Sequence, residues 1–162
     1  MVSVGDPIYA GDLPQLAISG SVNLDASSTT LQNVTGLSRP VTGGRTYQMR
    51  TVIYASNASG TTEDIKIGFS FPTGTLRAGA QGGTSTGVSG TTASDMQLIF
   101  QSFTSGSTAI SFGLSTNITT LEIVGIYACT TSGTFQVMAA QNTSGSNISS
   151  IAASSHLTLL PQ

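Results

Sequence analysis

Charge is what this chain has least of: only 7% of its 162 residues are Asp, Glu, Lys or Arg, against roughly a quarter in an ordinary soluble domain. The five basic residues, Arg39, Arg45, Arg50, Lys66 and Arg77, stand singly. They form no run or stripe that could neutralise phosphates, so no nucleic-acid partner is expected. Cys129 is the one cysteine, which rules out an intrachain disulfide and a multi-cysteine zinc site. No apolar run approaches the ~20 residues a membrane helix needs, so no membrane partner is expected. The opening MVSVGDPIYAGD has neither the basic nor the apolar region of a signal peptide. Synthesis and folding in a cytoplasm are therefore expected.

Reactive groups are equally sparse. His156 is the only histidine and lies among Ser154, Ser155 and Thr158. No G-x-S-x-G turn offers it a nucleophile. Cys129 falls inside an apolar strand pattern, where a thiol is inert. Glu63 and Asp64 are adjacent, so on a strand they point to opposite faces and cannot work as a pair. Asp6, Asp12, Asp25, Asp95 and Glu122 are scattered, without the cluster of acids a calcium loop requires. The glycine-rich stretch 79–90 has no basic residue for a phosphate-binding loop. No enzyme, metal or cofactor is expected. Sugar binding loses its best aromatic with the absence of Trp, leaving only loop amides such as Gln81, Asn142 and Asn147. Five Asn-x-Ser/Thr triplets, at Asn33, Asn57, Asn117, Asn142 and Asn147, read as a by-product of composition.

What the chain has is 24 Ser, 24 Thr and 19 Gly, a mixture of strand formers and turn residues. Mean hydropathy is +0.19 and net charge −2, unlike a disordered segment and with little repulsion to oppose self-association. Alternating segments recur with turns between them. Val22 and Leu24 share one face of a first strand, with Leu31 and Val34 after them and a turn region at SRPVTGG. In 46–55, Tyr47, Met49, Thr51 and Ile53 share a face. In 63–71, Ile65, Ile67, Phe69 and Phe71 oppose Asp64, Lys66, Gly68 and Ser70. Residues 73–94 read as a long loop with a weak strand pattern from Leu76 to Ala80. Strands follow at 96–103, 108–115, 120–130, 134–141 and 156–160. The 120–130 segment is apolar on both faces, a pattern that calls for cover on each side. No amphipathic helix of three turns appears. The expectation is an all-β sandwich of about eight strands, a jelly roll.

Residues 1–17 stand apart, with two prolines and two acids and the apolar Ile8, Tyr9, Leu13 and Leu16. They read as an anchoring arm on a domain spanning 18–162.

The C-terminal run GTFQVMAAQNTSGSNISSIAASSHLTLL resembles a motif of tailed-phage virion surface proteins, among them actinobacteriophage head-decoration, minor tail and fibre proteins. It is carried by Gly133, Thr134, Phe135, Val137, Ala140, Gln141, Asn142, Thr143 and Ser144, then Ser154, Ser155, Leu157 and Leu159. Ser155-His156 departs from the more usual Gly-Ser followed by an apolar or aromatic residue. TTLQNVTGLSRPVTGGRTYQMRTVIYAS, EDIKIGFSFPTG and GDPIYAGDL resemble earlier segments of the same proteins, so the likeness covers most of the chain. It implies a TNF-like or viral-type jelly roll assembled as a homotrimer. Asp6, Pro7, Ile8, Tyr9, Leu13 and Leu16 would then anchor the arm to the virion. Leu121, Ile123, Val124, Ile126, Tyr127, Phe135, Val137 and Met138 would form the trimer interface.

The function implied is a non-enzymatic capsid decoration protein on the phage shell, with the major capsid protein as partner, made in the host bacterial cytoplasm. The small size and the lack of a stalk favour that role. The alternative is a minor tail or fibre protein that binds a host-surface glycan.

Overall fold

A computed structural model describes residues 15–58, 64–83 and 99–162, with Gln15, Ile99 and Phe100 described by backbone alone. Among these residues every regular element is a strand and every pairing is antiparallel. Twelve strands occur: β1 (Gln15–Ala17), β2 (Val22–Asn23), β3 (Gln32–Val41), β4 (Arg45–Asn57), β5 (Ile65–Ser70) and β6 (Gly74–Gly82), then β7 (Ile99–Phe103), β8 (Ala109–Phe112), β9 (Thr119–Cys129), β10 (Gly133–Gln141), β11 (Ser149–Ile151) and β12 (His156–Pro161). The front sheet runs β1-β12-β4-β9-β6-β7, with β11 and β2 attached beside the end of β4. The back sheet runs β3-β10-β5-β8. The all-β sandwich expected from alternation is what the chain forms.

The expected faces hold. Tyr47, Met49, Thr51 and Ile53 of β4 and Ile65, Ile67 and Phe69 of β5 are buried, as is Phe71 just beyond β5. Six aromatics meet between the sheets. Phe135 lies 5.4 Å from Phe69, 5.3 Å from Tyr127 and 5.9 Å from Phe71, and Phe69 lies 5.1 Å from Phe103, centroid to centroid. Tyr47 stacks on Tyr127 at 6.3 Å. Such pairs add about 0.5–1.5 kcal/mol each beyond the area they bury. The Tyr127 hydroxyl donates to Pro72 O at 2.8 Å, and burial pushes its pKa up.

The count of about eight strands is corrected, for local reasons. Gly36 and Pro40 suggest a turn, yet β3 continues through Ser38, Arg39 and Pro40 to Val41. Its register against β10 shifts between Gln136 and Met138, and Gly36 occupies that irregularity at φ 88°. A side chain there would meet Ile18 Cγ2 at 2.9 Å. Pro40 is tolerated because β3 is an edge strand. The loop expected at 73–94 is strand from Gly74 to Gly82, and 84–94 lie outside the described residues. Its small inward residues Ala78 and Ala80 suit a close neighbour: a Cβ on Gly125 of β9 would sit 2.6 Å from Ala78 Cβ. Within the stretch 1–17, Gln15–Ala17 pair with β12, Leu16 opposite Leu157.

Candidate functional site

The feature most open to a partner is the outer face of the front sheet. Along β9 the pleat sends Leu121, Ile123, Tyr127 and Cys129 inward, all buried. Val124 and Ile126 point outward, 47% and 48% exposed. The register places Arg50 and then Thr158 beside Val124, and Gln48 and then Leu160 beside Ile126. These side chains line a depression of about 570 Å³. Val124 and Ile126, β-branched neighbours on one face of β9, leave water on apolar surface in the interior of the eight-stranded front sheet.

A polar row borders the depression. Arg50 Nε donates to Glu122 Oε1 at 2.6 Å, and Gln81 Nε2 donates to Glu122 Oε2 at 2.6 Å. The Arg50 guanidinium and the Gln81 amide hold the Glu122 carboxyl below the usual carboxylate range. On the other flank Arg77 lies in register with Ile126. The described residues contain one ion pair, Arg50–Glu122, so Arg77 has no acidic partner among them.

The residues expected at a trimer interface divide sharply. Val124 and Ile126 are on the open face. Leu121, Ile123, Tyr127, Phe135 and Val137 have no exposure at all, because the pleat turns them into the chain's own core. That is a correction to the interface expected from sequence. The segment 120–130 is apolar on both faces, but one face belongs to the sandwich interior. Met138 is half-buried on the outer face of the back sheet, opposite Asn33 and Gly68. Of the arm residues, Leu16 is part of β1, and Asp6, Pro7, Ile8, Tyr9 and Leu13 lie outside the described residues.

The reactive and polar side chains singled out above have hydrogen-bond partners within the chain. Cys129 is buried and its Sγ donates to Thr131 O at 3.1 Å. His156 Nδ1 lies 3.1 Å from Ser154 O, beside the positive-φ corner at Ser154. Asp64 Oδ1 accepts from Leu114 N at 3.0 Å. Asn142 Oδ1 accepts from Ser111 Oγ at 2.6 Å, and Asn57 Nδ2 donates to Ser149 Oγ at 3.0 Å. Among the described residues no three of His, Cys, Asp and Glu gather as a metal cage.

Sequence reasoning missed Gln48, Arg50, Thr158 and Leu160 as neighbours of Val124 and Ile126. Alternation along each strand could have found their shared outward face; the strand order that joins them could not be read. No protein-family model, curated protein or solved structure matches the chain.

Proposed function

We propose that this chain is a non-enzymatic structural protein of a tailed-phage particle, a jelly-roll homotrimer that decorates the assembled capsid. The strand order carries the reading. Without β2, β6, β7 and β11, the front sheet runs β1-β12-β4-β9 over a back sheet of β3-β10-β5-β8. We read that order as an eight-stranded TNF-like jelly roll, with β6–β7 as an inserted hairpin. Jelly rolls serve in viral capsids and in lectins, and the resemblance of the C-terminal run to virion proteins favours the capsid.

The outer face of β12-β4-β9 supplies the seam between copies, with Val124 and Ile126 at its centre. Residues 1–14 supply the foot on the shell, opposite the major capsid protein. Decoration then works by mass action: binding the assembled shell and not its dissociated subunits stabilises the shell.

Labelling the protein on intact particles tests the assignment. Signal distributed around the head supports decoration. Signal confined to the tail overturns it in favour of an adhesin that reads host glycans. Deleting residues 1–13, which leaves every described strand intact, should abolish shell binding. Shell binding by the shortened chain would contradict the foot.

A further inference from the structure

A seam between three copies is not one patch meeting itself. A self-complementary contact closes after two copies, so each contact in a three-chain ring joins two different patches. The depression on β12-β4-β9 supplies one of them. Among the described residues four large apolar side chains are exposed: Val124 and Ile126 at that depression, and Ile118 and Ile148 elsewhere.

Ile118 and Ile148 belong to one end of the sandwich. Ile118 precedes β9 and Ile148 precedes β11, the two strands that flank the end of β4. Asn57 N donates to Ser115 O at 3.0 Å and Ala58 N to Ile148 O at 3.3 Å. Consecutive amides of β4 thus hold the two loops on either side of it. Two strand spacings, roughly 10 Å, separate them. Ile118 is 64% exposed and Ile148 39%.

Charge matches this end to the depression. Asp64 is here, its Oδ1 accepting from Leu114 N at 3.0 Å. So is the exposed Asp25, whose loop is tied down by Leu24 N donating to Ser149 O at 3.0 Å and Ser27 N to Gly145 O at 2.8 Å. Lys66 stands two residues into β5, and Arg39 and Arg45 flank the β3–β4 turn at the opposite end. The depression is bordered by the exposed Arg50 and Arg77. Glu122, the acid in that row, is already engaged by Arg50 and Gln81. Direction matches too. The end looks along the strands and the depression looks along the normal of the sheet, at right angles to them. A third of a turn about a body diagonal carries the one direction into the other and closes after three copies.

We propose that the end of one copy carrying Ile118 and Ile148 seats in the Val124–Ile126 depression of the next. This rests on the seam proposed above and names its second surface.

Thiol crosslinking tests it. Ile118→Cys and Ile126→Cys are made in separate chains, and the unaltered chain controls for Cys129, which is buried. A short bismaleimide is added to each variant and to their equal mixture, at a concentration where sedimentation shows the three-chain mass. The mixture should yield a covalent pair with one chain of each kind, roughly a hundredfold faster than free chains collide. Neither variant alone should do so. Ile126→Cys joining to itself as fast as in the mixture would overturn the proposal, as would a three-chain mass with no crosslink in the mixture. Ile148→Cys and Val124→Cys serve where the first pair does not assemble. A single-chain mass for the unaltered chain would sink the seam itself, and the proposal with it.

Discussion

The two sheets turn very different outer faces to their surroundings. The front face carries Val124 and Ile126 half in the open, with a charged row along one side. On the back face, side chains of the chain itself engage part of the surface. Gln136 Nε2 reaches Val34 O at 2.9 Å, Leu37 O at 3.1 Å and Val137 O at 2.9 Å. It thereby supplies donors where the β3 irregularity breaks the ladder. Leu31 covers Gly68 so closely that a Cβ there would lie 2.9 Å from Leu31 Cδ1. Both sheets share one core and one alternation rule. What separates them, among the described residues, is how far apolar side chains stand in the open: Val124 and Ile126 are about half exposed on the front, while Met138 on the back is half-buried.

The largest effect should come from contrasting adjacent faces of β9. Ile123→Ala removes a fully buried side chain and should cost about 2–5 kcal/mol in urea unfolding. Ile126→Ser should change subunit stability by only about 0.5 kcal/mol while weakening self-association. Equal stability losses would erase the distinction between the faces. On the back sheet, Gln136→Met keeps the side-chain volume but removes the donor, and should cost about 1–3 kcal/mol. An unchanged denaturation midpoint would show that Gln136 does not engage the back face in this way.

Beneath the front sheet, Thr51 is fully buried and its hydroxyl has no hydrogen-bond partner among the described residues. Thr51→Val should therefore raise stability by about 1 kcal/mol, readable as a higher melting temperature. The smallest effect concerns Glu122. Its folded pKa is lowered, so its contribution is present above the normal carboxylate range and fades as pH falls through the folded value. With Arg50 57% exposed, the contribution should be only about 0.2–1 kcal/mol. Glu122→Gln should lower the urea midpoint at neutral pH and leave it unchanged in strong acid.

Much of this architecture was legible in the sequence wherever alternation was strong and uninterrupted. Ile65, Ile67, Phe69 and Phe71 announce their face without help, as do Tyr47, Met49 and Ile53. Legibility failed where a strand is built from residues that usually end one. Gly36 and Pro40 fit β3 because of a register shift and an open edge. The Ala and Gly residues of β6 fit because Gly125 lets β9 come close. The candidate seam was half legible. Val124 and Ile126 sit in a visibly two-faced strand, but which face is interior depends on the strands that flank it. Gln48, Arg50 and Leu160 join the site only through pairings among β4, β9 and β12.

The central claim is that copies of this chain meet through the outer face of β12-β4-β9. Sedimentation of the full chain over a rising concentration series, beside Ile126→Ser with matching circular dichroism, tests it directly. The account predicts that the unaltered chain reaches a three-chain mass by micromolar concentration, while the folded variant stays a single chain. A stable monomer of the unaltered chain at that concentration, or a trimer indifferent to Ile126→Ser, would contradict it.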